Sequence, residues 1–304
     1  MDISEKSPDT GTVQQLEPDL RCVLAPNASP MTYWGTNTYL LGQREVAVID
    51  PGPMSPPHLD AILAAVPEGG QISHIFVTHA HIDHSPLALA LSDCTGAAVH
   101  AFGPAHAGRS AVMQALARDG MAGGGEGVDA SFHPDVTLAH GARVSSAEWE
   151  IEALHTPGHM GNHLCFAADK RLFSGDLVMG WASSLVSPPD GDLTDFMASC
   201  RMLRDRPWEV FHAGHGAPIT DPAARLDWLI AHREGREGAI LEALSGKAQS
   251  AESLARALYT DVSPALIPAA MRNVFAHLVD LTGRKLVTPR GPLHSGTIFE
   301  LAGA

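Results

Sequence analysis

Disulfide chemistry finds little to work with in this sequence. Its four cysteines, Cys22, Cys94, Cys165 and Cys200, lie far apart and form no CxxC pair. That spacing argues against a disulfide framework or a Cys-rich zinc site and leaves reduced thiols as the default. Basic charge is scarce as well: 20 Lys+Arg stand against 34 Asp+Glu, a net charge of −14. The deficit is local, since residues 1–220 hold 11 basic and 25 acidic side chains, whereas 221–304 hold 9 of each. Neither part has the basic footprint on which nucleic-acid affinity rests. No apolar run approaches the roughly 18–20 residues of a membrane span. The opening MDISEKSPDT has no basic patch followed by an apolar stretch, so a soluble, cytoplasmic chain is expected.

What the chain does have is an ordinary core-forming composition, 45% hydrophobic and 18% charged over 304 residues. That length fits one large domain and a small appendage. Residues 1–20 read as a flexible lead-in. From Val23 to about 220, short apolar runs (36–41, 46–50, 72–78, 97–101, 136–153, 164–168, 171–174, 210–212) alternate with helical stretches at 58–66 and 108–119. Ser85-Pro86 reads as a capped helix start. The alternation predicts an α/β fold of stacked layers. The Gly-rich 121–130 reads as a mobile loop near a site. Beyond Asp221-Pro222 come a long helical stretch, helices at 251–258 and 264–282, and a hairpin over 285–301 turning at Pro289-Arg290-Gly291. Helix–helix–helix–hairpin predicts a winged-helix-like appendage over 221–304.

Seventeen histidines are many, and their spacing is informative. Thr78-His79-Ala80-His81-Ile82-Asp83-His84 sits at the mouth of an apolar strand. In an extended segment His79 and His81 point to one side and can share an ion, while Asp83 and His84, past the bend, can reach a second. Nitrogen and carboxylate donors in this mix suit zinc, with iron or manganese as alternatives. Three more segments place a ligand type on a Gly-marked turn: Thr156-Pro157-Gly158-His159, Ser174-Gly175-Asp176 and Gly214-His215-Gly216. Singly each is an ordinary turn; together they reach seven candidates, enough for two divalent ions.

These motifs, HxHxDH, TPGH, SGD and GHG, stand in the order of the metallo-β-lactamase superfamily, which the sequence resembles over about 21–220. NTYLLG (37–42) and VIDPG (48–52) are similar to that family's first strands. The resemblance implies an αββα sandwich with two metals at one edge. It assigns His79, His81 and His159 to one metal, Asp83, His84 and His215 to the other, and Asp176 as the bridge. HREGREGAIL (232–241) and the winged-helix pattern resemble the β-lactamase-like protein 2 group. Zinc β-lactamases proper lack the bridging aspartate and are exported, so antibiotic hydrolysis is not expected. The C-terminal region that glyoxalase II uses for glutathione is not visible either.

The expected activity is hydrolysis of a small acyl substrate, a thioester, lactone or ester, by a hydroxide held between the metals. Asp83 doubles as ligand and proton acceptor. The alternative is a single-strand endoribonuclease, which the appendage would suit. Its candidate groove helix, however, carries only Arg272 as a basic residue, so a lid or dimer surface is the plainer reading. An oligomer is left open, and no membrane contact is expected. His163 and His155 read as supporting hydrogen-bond partners, and Asp50 as a support of the ligand loop. His74, His100, His106 and His133 read as surface or core. Tyr33, Trp34, Trp181, Ser183 and Ser184 are candidates for the pocket wall.

Overall fold

The computed structural model describes residues 7–124, 127–260, 263 and 266–303. Two sheets face each other, each backed by helices. The first holds β1 (Val13–Glu17), β2 (Leu20–Leu24), β3 (Asn37–Leu41), β4 (Glu45–Ile49), β5 (Gln71–Phe76), β6 (Ala98–Ala101) and β7 (Val136–Thr137), in that order. The first four strands run antiparallel, and β4 to β7 pair in parallel. The second sheet holds β8 (Arg143–Ser145), β9 (Glu150–His155), β10 (Leu164–Ala168), β11 (Arg171–Gly175) and β12 (Val210–Ala213), in reverse order, with β11 and β12 parallel.

Strand periodicity builds the layers. Alternate side chains of a strand point to opposite faces, so Leu40, Val46 and Val48 face α1 (Pro56–Ala64) and α2 (Leu87–Thr95). Their neighbours Tyr39, Leu41, Ala47 and Ile49 face the opposite sheet, where they meet Ile151, Phe166 and Phe173. On the far side Leu154, Cys165 and Ala167 pack against Phe196, Cys200 and Leu203 of α4 (Leu193–Arg204) and Leu226 and Leu229 of α5 (Pro222–Gly246). The result is the expected αββα sandwich.

The C-terminal part comprises α6 (Ala251–Leu258), α7 (Ile267–Gly283) and a small sheet of β13 (Gln249–Ser250), β14 (Val287–Pro289) and β15 (Ile298–Leu301), ordered β13-β15-β14. Its core of Ile240, Leu244, Leu254, Val274, Leu278 and Phe299 is closed on one side by Met113 and Leu116 of α3 (Ala111–Arg118). This is the winged-helix appendage, and no helix among the described residues is long and apolar enough to cross a membrane.

Several expectations are corrected. Residues 13–17 are not a loose lead-in but β1, which pairs with β2 and shields the sheet edge. Helix α4 fills 193–204, a stretch with no helical reading in the sequence. The Pro- and Gly-rich start hides Asp192, whose carboxylate caps the helix by accepting from Thr194 N at 2.9 Å. Ser85 does not cap α2; its hydroxyl donates to His81 O and to Asp129. The C-terminal hairpin turns later than expected, over 290–297, because Pro289 still pairs with Phe299. The expected start at 264 lies outside the described residues, as do residues 125 and 126 of the Gly-rich loop.

Candidate metal centre

The strands deliver their ligand types to one edge. β4 leads into Asp50, β5 into Thr78 and His79, β9 into Thr156–His159, β11 into Asp176, and β12 into Gly214-His215. Cross-sheet bonds fix this edge: Leu164 N donates to Thr78 O at 2.8 Å, and Asn37 N to Gly214 O at 2.8 Å. Gly214 cannot be larger, because a Cβ there would lie 2.5 Å from Asp176 Oδ1 and 2.8 Å from His84 Cε1.

All seven candidates from the sequence are buried and come together in two sets. His79, His81 and His159 form one, and Asp83, His84, Asp176 and His215 the other, each set with ligand atoms within 4.8 Å of one another. In the first set His79 Nε2 and His159 Nε2 lie 2.9 and 3.0 Å from His81 Nδ1. In the second, His215 Nε2 stands 3.3 Å from Asp83 and 3.4 Å from Asp176. His84 Nε2 lies 3.6 and 3.5 Å from the same two carboxylates. Asp176 also lies 3.6 Å from His159 Nε2, so its carboxylate faces both sets.

Four of the five histidines are aimed from behind. His79 Nδ1 donates to Thr78 Oγ1, His84 Nδ1 to Asp50, His159 Nδ1 to Leu185 O and His215 Nδ1 to Gly35 O, at 2.8–3.0 Å. A donating Nδ1–H turns Nε2 inward as the nitrogen left to bind a cation, which is how ligating imidazoles are prepared. His81 is turned the other way, with Nδ1 inward. Nε2 of His84 and His215 and Oδ1 of Asp83 and Asp176 are buried without a hydrogen-bond partner. Buried polar atoms left unpaired are costly, and a divalent cation in the second set would satisfy all four, while the three imidazoles of the first offer a second ion its nitrogen donors. The donor chemistry and these orphaned atoms fit a binuclear divalent site.

Electrostatics separates the sets. Burial, reinforced by neighbouring imidazoles, holds His79 well below the usual histidine range and His81 down at about 3. Burial opposes charge in the second set too, but Asp83 and Asp176 overcome it, holding His84 well above its ordinary value and His215 at about 10. Asp83, despite burial, is drawn down to about 2 by His84 and His215.

Asp50 supports the ligand loop, with its backbone at φ 51° in the left-handed region that Asp tolerates better than most residues. Its carboxylate accepts from Thr78 N at 2.7 Å, Thr78 Oγ1 at 2.8 Å and His84 Nδ1 at 2.9 Å. His163 lies behind His79 and bonds Thr156 Oγ1 at 2.9 Å, while His155 stacks on Phe102. The cavity over the two sets is walled by Met31, Gly124, Met179, Leu185, Ser187 and Asp190. Of the expected wall residues, Ser184 turns inward to Leu177 O, and Trp181 stacks on Tyr33, itself stacked on Trp34. Sequence reasoning missed Asp190, paired with Arg109, although its Pro-Pro-Asp-Gly setting marks a fixed loop. It also missed Arg225 and Arg233 of α5 and Asn273 of α7, which hold the 179–186 loop.

The comparisons agree with this geometry. Residues 31–215 match the model of the metallo-beta-lactamase superfamily, and residues 250–291 that of the beta-lactamase associated winged helix domain. The chain is 31% identical over 274 residues to a Drosophila melanogaster protein named beta-lactamase-like protein 2 homolog, covering 85% of this chain and 86% of that protein. It is 29% identical over 253 residues to the atrochrysone carboxyl ACP thioesterase of Aspergillus terreus, covering 82% and 70%. The crystal structure of a beta-lactamase domain protein from Burkholderia ambifaria superposes with a TM-score of 0.80 at 19% identity, over 99% of this chain and 96% of that one. The chain belongs to the metallo-beta-lactamase superfamily, as a metal-dependent hydrolase carrying the winged helix domain associated with it.

Proposed function

We propose that the protein is a two-metal thioesterase acting on small acyl thioesters, with lactones and other esters as secondary substrates. The observation that carries this reading is the convergence of seven buried donors, with Asp83, His84, Asp176 and His215 each turning in an atom that has no hydrogen-bond partner. His79, His81 and His159 would hold one cation, Asp83, His84 and His215 the other, with Asp176 between them. When bound, such a pair lowers the pKa of a water and polarises the acyl oxygen.

The chain's own residues supply positioning and a proton path. Asp83, a carboxylate beside His84 and His215, would accept the proton of the attacking water. Oxygen joins the acyl carbon, the carbon–sulfur bond breaks, and that proton passes to the departing thiolate, giving acid and thiol. The Met31, Met179 and Leu185 wall keeps bulk water from the acyl group. The thioesterase names among the relatives support the choice of leaving group. The nuclease alternative has less behind it, since Arg272 of α7 is already bonded to Ala122 O and Ser187.

Metal analysis by mass spectrometry, followed by assays on a thioester, a lactone and single-stranded RNA, tests the reading. About two metals per chain and thioester cleavage lost in His81→Ala are expected. RNA cleavage with thioesters untouched would overturn it.

A further inference from the structure

A groove of about 360 Å³ lies between α3 with the segment after it and the C-terminal module. That volume is within the range of small-ligand sites. Its walls are mostly apolar: Leu116, Met121 and Pro188 from one side, Met271, Phe275 and Leu293 from the other. A second cavity, of about 450 Å³, shares Met121 with this groove and shares Gly124 and Asp190 with the metal cavity. Arg272 lines the groove, and its guanidinium donates to Ala122 O at 2.9 Å and to Oγ of Ser187, a wall residue of the metal cavity, at 3.1 Å. Gly124 lets the chain cross there, because a Cβ on it would lie 2.7 Å from Arg272 Cδ.

We propose that this groove binds the apolar acyl chain of the thioester, so that the C-terminal module supplies half of the specificity pocket; the proposal rests on the thioesterase reading above. The groove adjoins the second cavity at Met121, and that cavity adjoins the metal cavity at Gly124 and Asp190. Its lining offers hydrocarbon and two methionines, whose flexible thioethers adapt to chains of different shape. The acidic surroundings of the catalytic part disfavour a polyanionic occupant. Met271 and Leu293, half-buried on separate elements, set the length of chain that fits.

The test uses N-acetylcysteamine thioesters of acetyl, butyryl, octanoyl and dodecanoyl groups, and the uncleavable octyl and dodecyl thioethers for calorimetry. In the native protein kcat/KM rises by about fourfold per methylene seated in the groove, until the groove is full. In Met271→Trp, and separately in Leu293→Trp, the octanoyl-to-acetyl ratio of kcat/KM falls at least tenfold, through KM, while thermal unfolding shows each variant folded. A native protein that cleaves all four thioesters equally well, or variants that keep the octanoyl preference, would overturn the groove and leave the thioesterase reading standing. Thioethers that bind more tightly with length, and lose this in both variants, support the groove even where no thioester is cleaved, an outcome that sinks the thioesterase reading instead.

Discussion

The two halves of the candidate metal centre lie side by side yet are built on opposite principles. His79, His81 and His159 are an all-imidazole set that burial keeps neutral. Asp83, His84, Asp176 and His215 are a mixed set whose carboxylates hold both imidazoles charged in the absence of a cation. The first set presents lone pairs without compensating charge; the second balances a cation's charge with its own. Similar ligand counts therefore hide different loading chemistry.

The largest expected effect removes what the halves share. Asp176→Ala should cost kcat/KM about a thousandfold, the several kcal/mol that charge stabilisation by the pair supplies, and should lower metal content in both halves. Retention of two metals and near-native turnover would show that the halves do not depend on this carboxylate.

Next is the proton count. His84 and His215 have raised pKa values, so at pH 7 they carry protons that a cation must displace, and loading this half should release about two protons. Its affinity should tighten as pH rises towards His215's value of about 10. His81, at about 3, and its two partners are already neutral at pH 7, so loading their half should release none. Calorimetry in two buffers of different ionisation enthalpy reads both numbers, and equal release from the two halves would erase the contrast.

A smaller effect comes from Asp50→Asn. It weakens the Nδ1 support of His84 directly and that of His79 only through Thr78, so the mixed half should lose about 10–100-fold in metal affinity and the imidazole half less. Equal losses would mean that Asp50 holds the loop as a whole. Smallest is Asn273→Ala. Asn273 accepts from Val186 N and Arg233, beside the Leu185 carbonyl that orients His159. The all-imidazole half should weaken by less than about tenfold, with the mixed half unchanged, as competition with a chelator would read.

The clustering of the seven candidates was legible because each motif is local: a strand end, a small residue and a donor type within six positions. Asp50 was legible as a support because it ends a strand before Pro-Gly. The clamp from the C-terminal part was not, since Arg225 and Arg233 look like surface charges on a helix. Their partners, the carbonyls of Met179, Ala182 and Ser184, are backbone atoms more than forty residues away, and backbone leaves no mark in side-chain pattern. Helix α4 was missed for a related reason: its core face of Phe196, Cys200 and Leu203 follows a start that reads as breaker residues.

Helix α5 runs unbroken for 25 residues, roughly 37 Å at the usual rise, through Gly235 and Gly238. Leu226 and Leu229 anchor one end in the sandwich, and Ile240 and Leu244 anchor the other in the C-terminal core. A rod embedded at both ends behaves as a strut, so the C-terminal module is poorly suited to swing as a lid. A descendant that exchanged this module for another would exchange the anchor of the His159 loop in the same stroke, so the two are expected to be inherited as a pair.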